Sequence, residues 1–176
     1  VRWRALLLVV WAAAVLPVGA VRATGVPPAY APIVVLPSGL PERYEFDLSA
    51  ALARARREHK RLYVYLGASD CPYCRRYEAF LSANADVLRP HFAPYLVVDL
   101  RSALSVTAER LYLRVGGTSR PYKEFQRHLG DERERLLVYP SVWLLDADAK
   151  PLMQMPAGTG TFETVPEQIE ILRLVQ

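Results

Sequence analysis

Both cysteines of the chain lie in one four-residue stretch, Cys71-Pro72-Tyr73-Cys74. The stretch follows an apolar run of β type, Leu62-Tyr63-Val64-Tyr65-Leu66, and opens a segment with helical spacing. A strand that delivers Cys-x-x-Cys to a helix N-terminus is a layout for thiol–disulfide exchange. The reason is local. Unpaired N–H groups in the first turn of a helix carry partial positive charge and favour an anion there. A thiolate at Cys71 is such an anion, and the thiolate is the form that attacks disulfides. Two intervening residues bring Cys74 near enough to attack a mixed disulfide formed at Cys71.

Other chemistries fit the spacing less well. Structural zinc usually takes four ligands; the chain has no third cysteine, and His59, His91 and His128 are scattered. A c-type haem would need histidine at position 75, which is Arg75. An inert disulfide would close a very small loop and add little stability. Nothing in the sequence signals an organic cofactor or a metal.

The elements that must position the pair can be read around it. Asp47 or Ser49 can cap a helix running to about Lys60, with Leu48, Leu52 and Ala55 on its apolar face. Arg54, Arg56, Arg57, Lys60 and Arg61 then form its solvated face. Residues 61–67 read as a buried strand. The helix after Cys71 extends to about Leu88, with Cys74, Tyr77, Leu81, Ala85 and Leu88 facing the sheet. Pro72 suits its first turn, and Pro90 stops it. Residues 95–100 form a second strand, parallel to the first through a right-handed crossover.

Further on, the spacing predicts a helix over 108–115 stopped by Gly116-Gly117, and another over 121–129 ended by Gly130. The charged run 131–135 reads as an exposed turn or helix end. Residues 142–145 are a third strand, turned by residues 146–150 into a fourth at 152–155. Thr164-x-x-Glu167 is a capping box for a last helix with Val165, Ile169 and Leu172 on one face. The whole is a small mixed α/β sandwich.

The N-terminus carries a basic start, an apolar run over 5–21 and small residues at Ala20 and Ala23. This reads as a secretory signal peptide over 1–23, cleaved after Ala23 or alternatively Ala20. The rival is an uncleaved membrane anchor, for which the run is slightly short and interrupted by Pro17 and Gly19. Loss of 1–23 removes Arg2, Arg4 and Arg22 and no acid, so the formal charge of +4 drops to +1. No concentrated basic face remains for nucleic acid. Export, periplasmic in a bacterium, places the chain where disulfides persist. Two neighbouring cysteines do not staple a fold, which points to a pair that is used. Residues 24–43 are rich in Pro and Gly and read as an extended leader, with 33–36 an edge strand or a surface-docked segment. Residues 44–176 form the domain.

The chain resembles the thioredoxin-like superfamily, above all its exported stand-alone bacterial members. Three features carry the resemblance. One is the strand followed by Gly67-Ala68-Ser69-Asp70-Cys71-Pro72-Tyr73-Cys74-Arg75-Arg76. Another is Tyr139-Pro140-Ser141 ahead of Val142-Trp143-Leu144-Leu145. The third is the closing hairpin, a turn with Gly158 and Gly160, and the final helix. The resemblance implies a thioredoxin-like fold, a central mixed β-sheet flanked by helices, over roughly 44–176. It implies an exposed attacking thiol at Cys71 and a more buried resolving thiol at Cys74. It implies a cis Pro140, and a Tyr139 backbone that pairs with an extended substrate segment. Pro72 and Tyr73 complete the expected substrate surface.

Departures are also visible. Thioredoxin carries tryptophan where this chain has Asp70, and a buried proton-moving acid where this chain has Tyr65. The Pro72-Tyr73 dipeptide is the one familiar from glutaredoxins. Arg75 and Arg76 would favour a Cys71 thiolate, whereas Asp70 would oppose it unless it caps the helix. The expected activity is therefore thiol–disulfide exchange with protein substrates and a redox partner protein, with reduction the favoured direction. A non-catalytic binding module using the Tyr139-Pro140 surface is the alternative. A peroxide-reducing enzyme would need a Thr or Arg set near the attacking cysteine, which the sequence does not reveal.

Overall fold

A computed structural model describes residues 25–39, 42–130, 136–154 and 164–174. The expected signal peptide, the charged run at 131–135 and the turn containing Gly158 and Gly160 lie outside them. The strands are β1 (Ile33–Val35), β2 (Tyr44–Asp47), β3 (Arg61–Ala68), β4 (Tyr95–Ser102), β5 (Leu111–Val115), β6 (Thr118–Pro121), β7 (Ser141–Leu145) and β8 (Pro151–Gln154). The helices are α1 (Ser49–Glu58), α2 (Pro72–Ala83), α3 (Ala85–Leu88), α4 (Tyr122–His128) and α5 (Val165–Leu174).

The main sheet has the order β1-β4-β3-β7-β8. β3 lies at its centre, parallel to β4 and antiparallel to β7. Strand alternation divides its side chains between two cores. Leu62, Val64, Leu66, Val98, Leu100 and Trp143 point to one face, where α1, α4 and the β2-β5-β6 sheet cover them. Tyr63, Tyr65, Val97, Val142 and Leu144 point to the other, beneath α2, α3 and α5. The fold is a mixed α/β sandwich with a central mixed sheet between helices, as expected.

Two readings are corrected. Residues 108–115 are not helical: Leu111, Leu113 and Val115 alternate inward from β5, and Gly116-Gly117 turns the chain into β6. Both glycines have positive φ, 56° and 80°, which suits a two-residue hairpin turn. The helix after Cys71 breaks at Asn84, whose side chain donates to the Phe80 carbonyl at 2.8 Å. In the Pro-rich leader, the edge strand is the alternative found. β1 pairs with β4 in parallel, Val26 and Tyr30 are buried, and the Tyr30 hydroxyl donates to the Leu81 carbonyl at 2.8 Å.

At α1, Asp47 Oδ1 accepts from the Ser49 N–H at 2.8 Å, which ties off one free donor of the first turn. Thr164 and Glu167 are bonded side chain to side chain at 2.8 Å where α5 begins. Among the described residues no helix is long and apolar enough to cross a membrane.

Candidate functional site

β3 ends at Ala68, and two residues of turn carry the chain to Cys71, which takes the N-cap position of α2. Its sulfur accepts the Cys74 N–H at 3.2 Å, the role a Ser or Asp side chain usually fills at a helix start. Pro72 in the first turn costs no hydrogen bond there. The geometry thus directs a first-turn donor of α2 at the Cys71 sulfur. Both cysteines are free thiols.

One expectation is corrected at this point. Cys71 is only 2% exposed, so it is not an open surface thiol. Its sulfur lies 3.6 Å from the Tyr139 carbonyl oxygen and donates to it. The cover is the loop ahead of β7, where the Tyr139–Pro140 peptide bond is cis. The Tyr139 ring is tied down in turn, its hydroxyl sharing a 2.9 Å hydrogen bond with Ser102 Oγ. Burial pushes the Tyr139 phenol up to about 12, with the Ser102 bond pulling the other way. The carbonyl expected to meet a substrate backbone is therefore the one that Cys71 now occupies.

Cys74 is fully buried one helical turn further on. The Ala68 N–H donates to its sulfur at 3.4 Å. Burial pushes the Cys74 thiol up to about 12; the Ala68 bond opposes this, and the nearby Cys71 adds to it. The two thiols are unlike in consequence: one caps a helix, whereas the other is held protonated by its surroundings.

The structure gathers Cys71, Cys74, Pro72, Tyr73, Tyr139 and Pro140 at one end of the sheet. Tyr73 is 52% exposed and flanks the pair. The charged neighbours each have a definite place. Asp70 does not cap α2; its Oδ1 accepts the Leu104 N–H at 2.9 Å and pins the loop after β4. Arg75 turns its guanidinium back to the Ser69 carbonyl at 3.5 Å. Arg76 is exposed on α2. Among the described residues no group of three or more His, Cys, Asp or Glu side chains is placed to hold a metal ion.

A thioredoxin-like domain model matches residues 48–170. The chain belongs to this thioredoxin-like domain family. No curated protein matches it. A solved structure described as Trgpx in apo form is similar to it with a TM-score of 0.39 and 16% identity, covering 64% of this chain and 80% of that one. The family match spans β3, the dithiol, the cis-proline loop and most of α5. It leaves out β1 and β2, which complete one edge of each sheet.

Sequence reasoning missed two residues beside the pair. The Tyr65 hydroxyl donates to Glu78 Oε1 at 2.9 Å, which joins β3 to the helix that carries the cysteines. The available signal was spacing: Glu78 follows Cys74 by four residues and so shares its helix face.

Proposed function

We propose that this protein is an exported thiol–disulfide oxidoreductase that acts on protein substrates through Cys71 and Cys74, in the reducing direction. One observation carries the reading: the Cys71 sulfur sits at the N-cap of α2, accepting the Cys74 N–H at 3.2 Å beside the cis-proline loop. In this scheme the Cys71 thiolate attacks one sulfur of a substrate disulfide and expels the other as a thiolate. Cys74 then attacks the Cys71 sulfur and expels the second. The cysteine pair gives up two electrons and closes as a disulfide, and the substrate gains them. A redox partner protein restores the dithiol. The export part of the reading rests on the sequence of residues 1–23.

The test is a trap. Cys74→Ala removes the resolving thiol, so mixed disulfides through Cys71 should accumulate in the native cell envelope and vanish on reduction. Recovery of no disulfide-linked partner would sink the reading.

The burial of Cys71 favours a second reading, a non-catalytic module that binds partners at Tyr139-Pro140 with its cysteines idle. An insulin-reduction assay separates the two. An oxidoreductase gives a rate that Cys71→Ser abolishes, whereas a binding module gives no rate that depends on Cys71.

A further inference from the structure

Helix α5 carries apolar side chains on both of its sides. The inward side is fixed: Gln168 and Leu172 are fully buried, and the Tyr77 and Tyr95 hydroxyls donate to Gln168 Oε1 and the Leu172 carbonyl at 2.7 and 2.8 Å. On the outward side an open groove runs along the helix, lined by Val165, Pro166, Ile169, Glu170, Arg173 and Leu174. Leu174 is 62% exposed. α3 packs beside α5 and leaves Val87 54% exposed. A helix on the surface of a globular fold turns a polar stripe to water. Here apolar side chains interrupt that stripe, and apolar surface gathered beside charged groups marks an interaction site.

The two charges in the groove point to the partner. Glu170 and Arg173 are both exposed, and neither has an ion-pair partner among the described residues. They stand at i and i+3 and so share a face of the helix. In an antiparallel pair of identical helices, two positions symmetric about the twofold axis meet reciprocally. An axis at the level between Ile171 and Leu172 sets Glu170 opposite Arg173 of a second copy, and Arg173 opposite its Glu170. The same axis sets Ile169 opposite Leu174, again reciprocally. One register therefore satisfies the charged pair and the apolar pair together. A parallel arrangement would set each charge against its like.

We propose that the outward side of α5 is the interface of a twofold-symmetric homodimer, held by Ile169–Leu174 contacts and by reciprocal Glu170–Arg173 ion pairs. The position of α5 keeps the dithiols clear of the contact. β3 and β4 run parallel, and Cys71 follows the Ala68 end of β3, which lies opposite the Ser102 end of β4. Tyr95 starts β4 at the other end of the sheet, and its hydroxyl holds the Leu172 carbonyl near the end of α5. Association through this part of α5 leaves each Cys71–Cys74 pair at the end of the sheet away from the second copy. The dimer does not depend on the oxidoreductase reading.

The test is sedimentation equilibrium of the full chain. The wild-type protein should sediment as a dimer. Glu170→Arg and Arg173→Glu each set like charges against one another across the twofold, and each should raise the dissociation constant by about tenfold or more. Mixed in equal amounts, the two variants should associate again, because every facing pair is then opposite in sign. The double variant Glu170→Arg/Arg173→Glu should dimerise as the wild type does. Both side chains are exposed, so the exchanges spare the core. Leu174→Ser removes an apolar contact alone, should weaken the dimer in the same direction, and carries the test if a charge exchange disturbs folding. A wild-type chain that stays monomeric at every concentration, a dimer indifferent to the exchanges, or a mixture no tighter than either single variant would overturn the interface. So would a monomer that co-sediments with phosphatidylglycerol vesicles, since the apolar face would then serve a membrane.

Discussion

The two faces of the central sheet are built from different chemistry. On one, Leu62, Val64, Leu66, Val98, Leu100 and Trp143 meet other apolar side chains almost exclusively. On the other, tyrosines dominate and their hydroxyls are bonded. Tyr63 and Tyr77 share a hydrogen bond, Tyr77 donates to Gln168 Oε1 at 2.7 Å, and Tyr95 donates to the Leu172 carbonyl at 2.8 Å. Apolar burial is non-directional and tolerates repacking at constant volume. Hydrogen bonds from ring hydroxyls fix distances and angles, and here they link β3 to α2 and join α2 and β4 to α5. The helix that carries the cysteines is therefore held by the directional face. The dry face supplies stability; the bonded face supplies position.

Three substitutions probe that division. Trp143→Ala should be the most destabilising. It empties a fully buried site where Phe125 packs edge-on at 5.2 Å, and large-to-small changes of this type cost about 3–5 kcal/mol. Urea denaturation should show a much lower midpoint, and Trp143→Phe should recover a good part of it. Tyr63→Phe keeps the ring and deletes one hydroxyl of a bonded chain, a loss of about 0.5–1.5 kcal/mol. A loss as large as that of Trp143→Ala would break the comparison, because the bonded face would then be the main source of stability.

The last substitution, Glu45→Gln on the second sheet, is read through its pH dependence. A hydrogen bond from Ser119 and further contacts from Arg43 and Arg114 hold its carboxyl down to about 2 against the pull of burial. The folded value lies below the unfolded value of 4.5, so this stabilisation is complete above pH 4.5 and disappears as pH falls towards 2. Glu45→Gln should flatten that part of the acid melting curve and leave its shape above pH 6 unchanged. An unaltered acid slope would mean that the second sheet contributes nothing to acid resistance.

What the sequence disclosed follows the same division. β3, the turn after it and the start of α2 were legible because they are contiguous and their periodicities are strong. The parallel β3–β4 pair followed from the helix between them. β5 was misread because five residues beside Glu109 and Arg110 satisfy a helical pattern as readily as an alternating one. Its strand character comes from pairing with β2, far away in sequence. β1 is three residues long, and contact with β4 decides its state. The Cys-x-x-Cys pair is legible by spacing alone. The Tyr65–Glu78 contact does not, because it joins a strand to a helix across a turn whose geometry has to be known first. The cover over Cys71 depends likewise on a loop 68 residues further along the chain.

The edge position of β1 has a consequence for how the chain is made. Val26 bonds to Asp99 across 73 residues, and β1 finds its partner only in β4. A chain synthesised or threaded N-terminus first presents residues 25–35 long before residues 95–102 exist to receive them. The first strand to emerge is thus among the last that can dock.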